Sequence, residues 1–438
     1  MRSLYAGGVA RVRQQAEVGV LGDAFSDEPF CRALVAAVGA GRDLPTANGG
    51  TLRFRPTPAF AALAGPDLAS QPVGRPRSEG DNTSVTLGER LFLKGYRRLQ
   101  AGLHPEIEVG RYLAEVAHFR HGAPLAGTVE YVASSGAVTS LVLVQAHVQN
   151  QGDGWTYTRD YLERYLEQRR SSTERVPPDV HGAYLALIEN LGRRTAELHA
   201  ALARSRGDAA FDPEPLGERD AAEERARVGA QARDALDALE NGLSRLAGPS
   251  LREARAVLRQ RERIVQRVDQ AELPARPGVL KSRIHGAFHL AQVLVSKNDF
   301  VLVDFEGDPA QRFEERRAKR SPLRDVASML RSFARAAAAA LADCATGSDE
   351  RARLGPIAAE WEQQTRAAFL RGYDAHAAEA GTAGASDTAA ADWIALFELE
   401  RALRELHDEL RAGRSAAALG PLRDVVALTG GPDTNRRG

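Results

Sequence analysis

The chain has 438 residues, which is long enough for two or three domains and for a substantial buried core. Basic and acidic residues number 58 each, so the formal net charge of zero provides no global field that would favour nucleic acid or an anionic membrane as a partner. The two cysteines, Cys31 and Cys344, lie far apart without metal-ligand spacing, which disfavours a disulfide scaffold or a zinc site and indicates a reducing cytoplasm.

Targeting and membrane signals are missing from the sequence. No signal-peptide pattern begins the chain, because Met1 leads into a glycine-rich, polar segment. The longest apolar stretch, residues 333–342, is rich in alanine and interrupted by Arg335, so it is too short and too weakly apolar to span a bilayer. We therefore expect a soluble, cytoplasmic protein that binds neither membrane nor nucleic acid.

The first 150 residues are predicted to form two regions. Residues 1–78 contain one short helical pattern at 28–38 between glycine- and proline-rich connections, and we assign them as an N-terminal cap segment. Residues 79–149 are rich in strands and form a predicted β-rich nucleotide-binding lobe. A hairpin with a two-residue loop at Gly88-Glu89 is predicted from 83–87 and 90–96, followed by a helix from 105 to about 119 and by strands at 127–132 and 138–148.

Residues 150–438 are predicted to be mainly helical and to form one lobe, to which the family resemblance described below assigns catalysis and sugar binding. Amphipathic helical patterns occur near 158–170, 178–205, 217–245, 249–270, 322–345, 355–379 and 388–412, and a strand pair that ends near residue 303 interrupts them. A β-rich lobe joined to a helical lobe is the layout of a kinase, so the predicted fold class is α+β with a bilobal, protein-kinase-like architecture.

Phosphoryl transfer from ATP requires a lysine on the phosphates, a carboxylate that holds it, metal ligands and a group that positions the attacking hydroxyl. Lys94 is the candidate lysine, because apolar residues flank it on a strand that should be buried. Glu108 on the following helix is the candidate partner. The alternatives are a surface lysine that extends its amine to solvent and an ordinary acidic residue at a helix N-terminus.

The strongest signal lies between residues 285 and 307. Asp304 ends an apolar strand and is followed by Phe-Glu-Gly, which suits a Mg²⁺ ligand at a strand end. Gln292 precedes it by twelve residues and offers an amide oxygen as a second metal ligand. His285 and His289 bracket the loop, and for His285 we favour a hydrogen-bonded structural role.

The chain resembles the maltokinases, a group of aminoglycoside-phosphotransferase-like kinases, and in particular the kinase portion fused to trehalose synthases. The segments that carry this resemblance span nearly the whole chain: 54–60, 81–84, 150–155, 191–199, 285–292 and 314–327. The resemblance implies transfer of the ATP γ-phosphate to maltose, giving maltose 1-phosphate, within trehalose, glycogen and α-glucan metabolism. It also implies ATP and Mg²⁺ as cofactors and trehalose synthase as a possible partner.

The resemblance also assigns site residues. It implies that Lys94 holds the phosphates and Glu108 orients it, and that Gln292 and Asp304 hold Mg²⁺. Further nucleotide contacts are implied for a second set of residues, with hydroxyls and backbone N–H groups on the phosphates and backbone groups on adenine: Thr83, Ser84, Gln145 and His147.

Two positions depart from the family pattern in the loop. Ala287 replaces the aspartate that receives the proton of the acceptor hydroxyl, and Ala291 replaces a glycine. General-base assistance contributes about 10²–10⁴-fold, so we expect normal binding of ATP and Mg²⁺ with slow turnover unless Glu306, Asp304 or His289 substitutes. The segment 399–407 matches only in part, since the family tends to have tyrosines there, and we assign no sugar contacts to it.

Three functional hypotheses remain open. The leading one is a kinase that forms maltose 1-phosphate, impaired by Ala287. The second is a catalytically inactive module that binds nucleotide or maltodextrin and supports trehalose synthase; Ala287 favours it, and the intact lysine and metal ligands disfavour it. The third is a kinase of the same fold with another hydroxylated acceptor, which the segments 151–155 and 316–327 disfavour.

Overall fold

The structure is a computed structural model that describes residues 8–15, 17–76, 82–171, 177, 179–273, 279–380, 382–415 and 417–430. The predicted cap boundary at residue 78, Asp81 of the resemblance and the first residue of the helix predicted at 178–205 lie outside these ranges. The chain divides into two compact units, Met1–Asn150 with Val301–Arg316, and Gln151–Phe300 with Arg317–Gly438. Within the described ranges, no helix has the length and apolar character needed to cross a membrane.

The first unit is built on antiparallel strands, and we call it the β-rich unit. Its elements are β1 (Gly8–Gln14), β2 (Glu17–Gly22), α1 (Glu28–Gly39), β3 (Asp43–Pro45), β4 (Thr51–Pro56), α2 (Phe60–Ala64), β5 (Val73–Gly74), β6 (Thr83–Leu87), β7 (Leu91–Gly95), α3 (Pro105–Arg111), β8 (Leu125–Val132) and β9 (Val138–Ala146). Strands β1 and β2 form a separate hairpin, and the other seven form one sheet in the order β3-β4-β8-β9-β7-β6-β5.

The sheet extends beyond the predicted β-rich lobe of residues 79–149, because strands that precede residue 78 join it. Strand β4 pairs with β8 over six residues, and β5 pairs with β6. One face of the sheet packs against α1, where Leu34, Val35 and Val38 meet Leu91 and Leu93 in the core. The opposite face carries Lys94, since side chains alternate along a strand.

Two local predictions in this unit need correction. The β6–β7 hairpin has a three-residue loop, because Leu87 pairs directly with Leu91 and the N–H of Arg90 donates to the Leu87 carbonyl. The helix that starts at Pro105 is regular only to Arg111 and continues as a wider π-helical turn, Tyr112–Val116. The other predicted elements of this unit, including the helix near 28–38, are present.

The second unit is mainly helical, as predicted, and we call it the helical unit. Its elements before residue 301 are α4 (Gly154–Ser171), α5 (Gly182–Leu202), β10 (Glu214–Pro215), α6 (Glu218–Gly242), α7 (Gly248–Arg259), α8 (Arg261–Asp269), β11 (Leu280–Lys281) and the hairpin of β12 (Val293–Ser296) with β13 (Asp299–Leu302). The helix predicted at 249–270 is two helices, because the chain turns at Gln260, whose φ of −100° and ψ of 9° are not helical.

After β13 the chain passes through the β-rich unit, where it forms the single turn α9 (Phe313–Arg316), and then returns to the helical unit. The last helices are α10 (Leu323–Cys344), α11 (Ser348–Ala380), α12 (Thr388–Arg411) and α13 (Leu419–Gly430). The backbones of α5 and α11 approach so closely that a Cβ on Gly192 would lie 2.0 Å from the Phe369 carbonyl. Glycine at this crossing therefore permits the packing that brings the two helices together.

Candidate functional site

A buried lysine and three carboxylates form the centre of the β-rich unit. The Nζ of Lys94 lies 3.0 Å from Glu106, 3.2 Å from Glu306 and within hydrogen-bonding distance of Asp304. Lys94 is only 7% exposed, so these contacts replace the water that its ammonium group would otherwise bind. The structure thus brings together the predicted Lys94 and Asp304 with two glutamates.

The helix partner of Lys94 is Glu106, which corrects the predicted pairing with Glu108. His104 caps α3 and Pro105 begins it, and the second residue of the helix, Glu106, contacts Lys94. Glu106 is buried and also accepts a 2.8 Å hydrogen bond from the Tyr96 hydroxyl. Residues two apart on a helix do not share a face, so Glu108 is directed elsewhere.

Burial and charge together set the protonation of this cluster. Burial would lower the pKa of Lys94, but Glu106, Asp304 and Glu306 outweigh it, and the pKa of the lysine is raised. Burial raises the pKa of Glu106 against the attraction of Lys94. Burial, with the nearby carboxylates, raises the pKa of Glu306 to about 7. One fixed ammonium therefore faces three carboxylates that are costly to ionise together.

The turn after β13 presents two of these carboxylates. Asp304 has a φ of 69°, which a residue with a side chain rarely adopts, and Gly307 follows with a φ of 74°. Strain of this kind is concentrated at functional sites. Glu306 lies between them, and Asn82 donates to its carboxylate over 3.4 Å. Glu306 was predicted only as a possible replacement for the base missing at residue 287, although it is part of the Asp-Phe-Glu-Gly motif.

The donor set of this turn fits a hard divalent cation. One carboxylate oxygen from each of Glu106, Asp304 and Glu306 lies within 4.8 Å of the others. Mg²⁺ prefers oxygen ligands, and carboxylates supplemented by phosphate oxygens are its usual set in phosphoryl-transfer enzymes. Gln292, the second predicted ligand, lies in the helical unit, and its metal role stays a prediction.

Ser84 and Gln145 lie on the sheet face that carries Lys94. Ser84 pairs directly with Lys94 across β6 and β7, and Gln145 pairs with Phe92, two residues before Lys94. Paired residues of antiparallel strands project to the same face. The positions of Ser84 and Gln145 are thus consistent with their predicted nucleotide contacts, which stay predictions.

Thr83 and His147 already have partners in the protein. The Thr83 hydroxyl donates to Asp23 over 2.7 Å and accepts from Arg97. The backbone N–H of His147 donates to the Arg90 carbonyl, and that of Ala146 to the Pro124 carbonyl. An adenine at this segment would therefore need other backbone groups than these two N–H groups.

The loop of residues 285–292 belongs to the helical unit and is held by Asp325 of α10. The two carboxylate oxygens of Asp325 accept the backbone N–H groups of His285 at 2.8 Å and Gly286 at 2.9 Å. His199 adds a contact of 3.2 Å to Asp325, and its other ring nitrogen lies 2.9 Å from the Tyr373 hydroxyl. The loop is thus anchored just before Ala287.

Both sides of Ala287 are fixed by packing. Phe288 and Leu290 are fully buried, and the Leu290 N–H donates to Ser332 over 3.1 Å. His285 is also buried, next to the Phe288 ring, and its hydrogen-bonded structural role stays a prediction. Ala287 itself is half-buried, so its side chain lies at the edge of a rigid loop. The backbone on both sides of Ala287 is thus hydrogen-bonded or buried, and the assignment of residue 287 as the position of the catalytic base stays a prediction.

His289 and Ala291 line a cavity of about 210 Å³ beside this loop. Ser328, Ser332 and Arg335 of α10 form one wall. Trp155 of α4, with Arg401 and Glu405 of α12, completes it. The sequence analysis assigned no role to Arg401 or Glu405, although both lie in the segment 399–407 that departs from the family pattern.

The chain is similar to glucosamine kinases. It is 27% identical to a glucosamine kinase of Mycolicibacterium smegmatis over 332 residues, which cover 74% of this chain and 72% of that protein. It is also 27% identical to a glucosamine kinase of Streptacidiphilus jiangxiensis over 256 residues; this match spans 58% of the chain but only about half, 52%, of the relative. No protein-family model matches the chain.

The fold is that of a solved glucosamine kinase in complex with glucosamine, ADP and inorganic phosphate. The two structures superpose with a TM-score of 0.63 at 21% identity, over 94% of this chain and 86% of the other. This likeness confirms the predicted α+β, protein-kinase-like fold, with an antiparallel N-terminal lobe and a helical C-terminal lobe. At the level of sequence the chain is similar to small-molecule kinases, and the narrower resemblance to the maltokinases stays a prediction.

Proposed function

We propose that the protein is an ATP-dependent sugar kinase, which transfers the γ-phosphate of ATP to a sugar hydroxyl. The observation that carries this proposal is the buried Lys94, held by Glu106 and facing Asp304 and Glu306. A strand lysine paired with a helix glutamate, beside a metal-binding aspartate, is the arrangement that kinases use on ATP phosphates. The similarity to glucosamine kinases supports the same reaction class.

Each residue of the cluster has a distinct task in this proposal. Lys94 would hold the phosphates, and Glu106 would keep its ammonium group in place. Asp304 and Glu306 would hold Mg²⁺, which would supply positive charge to offset the negative charge of the phosphates. The Tyr96 hydroxyl fixes the Glu106 carboxylate, and so the lysine is positioned from two sides.

Turnover is slow in this proposal because Ala287 cannot accept the proton of the acceptor hydroxyl. The transition state of phosphoryl transfer is loose, so positioning and electrostatics provide much of the catalysis and a general base only part of it. The missing base corresponds to about 10²–10⁴-fold in rate. Binding of ATP and Mg²⁺ depends on the β-rich unit and does not require residue 287.

Two acceptors have separate support. Maltose, with maltose 1-phosphate as product, follows from the segments that resemble maltokinases, together with a role in trehalose and glycogen metabolism. Glucosamine is suggested by the names of the relatives. Both acceptors therefore belong in the same assay.

The test is ADP release in the presence of Mg²⁺ with maltose or glucosamine, for the protein and for Ala287→Asp. Acceptor-dependent ADP release by either form supports the proposal. If neither form releases ADP and neither binds ATP, the proposal is wrong. Activity of the unsubstituted protein equal to that of Ala287→Asp would show that another group, such as His289, serves as the base.

The second candidate function is a catalytically inactive module that binds nucleotide and supports a partner such as trehalose synthase. Ala287 is the observation that favours it, because the supported loop lacks its reactive group. ATP binding without ADP release, both in the protein and in Ala287→Asp, together with co-purification of trehalose synthase, would select this alternative.

A further inference from the structure

The charged side chains at the cavity beside the loop include more arginines than carboxylates. Arg335 and Arg401 lie in its wall with Glu405, and Arg331 of α10 lies behind them. Glu405 is 3.3 Å from Arg401, 3.5 Å from Arg335 and 2.9 Å from Arg331. Arg331 also forms an ion pair with Asp424 at 2.8 Å. Three arginines thus face two carboxylates, which leaves one positive charge.

The negative charge of the cavity is already neutralised within the protein. The Glu405 side chain is only 12% exposed. Burial would raise its pKa, but Arg331, Arg335 and Arg401 outweigh this effect and lower it, so Glu405 is an ionised carboxylate. An ammonium group entering the cavity would meet a carboxylate that is surrounded by arginines, and like charges are repelled there more strongly than in water.

The two arginines of the wall can still reach a ligand. The side chain of Arg335 is 50% exposed and that of Arg401 25% exposed, whereas Arg331 is 3% exposed. Within the described ranges, Arg335 and Arg401 each make one hydrogen bond to Glu405, through a single nitrogen. A guanidinium group has five N–H donors in a planar array, which matches a carboxylate or phosphate.

We propose that this cavity binds a sugar carrying a carboxylate or phosphate group, whose anion contacts Arg335 and Arg401. Its role as the phosphoryl acceptor rests on the proposed kinase function, while the binding preference rests on the charges alone. His289 and Ala291 place the catalytic loop in the same wall, so a bound sugar has its hydroxyls beside that loop. Anionic sugars should then bind most tightly, neutral sugars more weakly, and the cationic glucosamine most weakly.

The test measures binding by calorimetry, without nucleotide, at low salt. The probes are glucose 6-phosphate, glucuronate, glucose, glucosamine and inorganic phosphate. We expect both anionic sugars to bind at least about tenfold more tightly than glucose, since hydrogen bonds between ionised groups are stronger than those between neutral groups. Glucosamine should bind more weakly than glucose.

Three variants make the assignment specific. Arg335→Gln and Arg401→Gln should each weaken anionic sugars about tenfold and leave glucose unchanged. Glu405→Gln should tighten them, because it removes the negative charge and Arg331 keeps Asp424 as a partner. Arg159→Gln is the matched control, since this arginine of α4 pairs with Glu163 and Asp343 and does not line the cavity.

Glucosamine binding as tightly as glucose 6-phosphate would overturn the inference, as would the absence of binding by every sugar. Inorganic phosphate binding as tightly as glucose 6-phosphate would also overturn it, because the cavity would then recognise an anion and not a sugar. These outcomes are separate from the proposed kinase function, which is tested by ATP binding at the β-rich unit and by ADP release.

Discussion

The Lys94 cluster of the β-rich unit and the 285–292 loop of the helical unit are supported equally well but differ in what they carry. Around Lys94, the positioning groups Tyr96 and Glu106 hold a lysine that can act on phosphates. In the loop, Asp325 holds the backbone of His285 and Gly286 just as firmly, yet the next residue is Ala287. One region keeps both its support and its reactive groups, and the other keeps only its support.

If residue 287 is the position of the catalytic base, as the resemblance implies, this difference means that the support of a reactive group does not depend on the group itself. An alanine at residue 287 costs the fold little, since the loop is held through its backbone and through Phe288 and Leu290. Loss of Lys94 would leave three carboxylates close together. Substitution is therefore tolerated in the loop and penalised in the cluster, and each of the following variants tests one side of that contrast.

The largest effect is expected for Ala287→Asp. The loop is already anchored by Asp325, so the new carboxylate should enter a prepared position and raise acceptor-dependent turnover by about 10²–10⁴-fold. The affinity for ATP should not change. Turnover comes from coupled ADP release, and affinity from calorimetry.

Ala287→Asn is the matched control, because asparagine has the size of aspartate but cannot accept the proton. It should leave turnover at the level of the unsubstituted protein. Equal gains for Asp and Asn would mean that size and not basicity matters at this position, and the contrast between the two regions would then be wrong.

The second effect is expected for Lys94→Met, which removes the ammonium group and keeps the apolar stem. Removing one partner from a buried ion pair costs about 3–5 kcal/mol in unfolding free energy, and protonation of Glu306 and Glu106 should relieve part of it. ATP affinity should fall at least about tenfold. Urea unfolding and calorimetry measure the two quantities.

Lys297→Met serves as the control, since Lys297 is exposed in the turn between β12 and β13. It should change neither stability nor ATP affinity. ATP affinity that survives Lys94→Met would remove Lys94 from the phosphate site and with it the main support for the kinase proposal.

The sequence was sufficient to predict the parts of the site that are encoded in short motifs. Lys94 on its strand and Asp304 at the end of another are both where the patterns indicate, although 210 residues separate them. Glu106 could not be distinguished from Glu108, because both lie in the same helical turn and the phase at which α3 packs decides which of them contacts Lys94. That phase depends on tertiary packing.

The size of the sheet and the cavity were beyond the sequence for a different reason. Strand β3 has only three residues and is exposed, so its apolar pattern is weak, and its place in the sheet depends on pairing with β4. Arg401 and Glu405 lie on α12, which has many charged residues, and the sequence does not show which of these residues lie near Arg335. Such sets are defined by helix packing, which is not a local property.

The third effect is expected for Asp325→Asn, which tests the support of the loop. Asparagine has one oxygen where Asp325 uses two, so its NH₂ group would face the N–H of His285 or Gly286. A buried donor left without an acceptor costs about 1–3 kcal/mol. Combined with Ala287→Asp, it should also lower turnover.

Asp343→Asn, at an exposed residue that pairs with Arg159, is the control and should be neutral. An unchanged melting temperature for Asp325→Asn would mean that the loop does not depend on this anchor.

The last prediction is measured as a slope and concerns the pH dependence of stability through His104, whose ring stacks on Tyr96 beside the cluster with 4.0 Å between the ring centroids. Burial, followed by the nearby Lys94, lowers the pKa of His104 to about 3 from its ordinary value of 6.5. Below pH 6.5 His104 therefore becomes protonated in the unfolded chain while it stays neutral in the folded protein. The contribution of neutral His104 to the unfolding free energy is therefore fully present above pH 6.5. It decreases by about 1.4 kcal/mol for each pH unit as the pH falls towards 3.

His104→Asn keeps a side-chain acceptor for the N–H of Glu106 and removes the titrating ring. Between pH 6.5 and 5 the unfolding free energy of this variant should therefore fall less steeply than that of the unsubstituted protein. Urea unfolding at several pH values measures both slopes, and His118→Asn, at an exposed histidine, should leave the slope unchanged. Identical slopes for His104→Asn and the unsubstituted protein would mean that His104 takes up its proton in the folded state, and burial beside the Lys94 cluster would then not exclude the charged form of its ring.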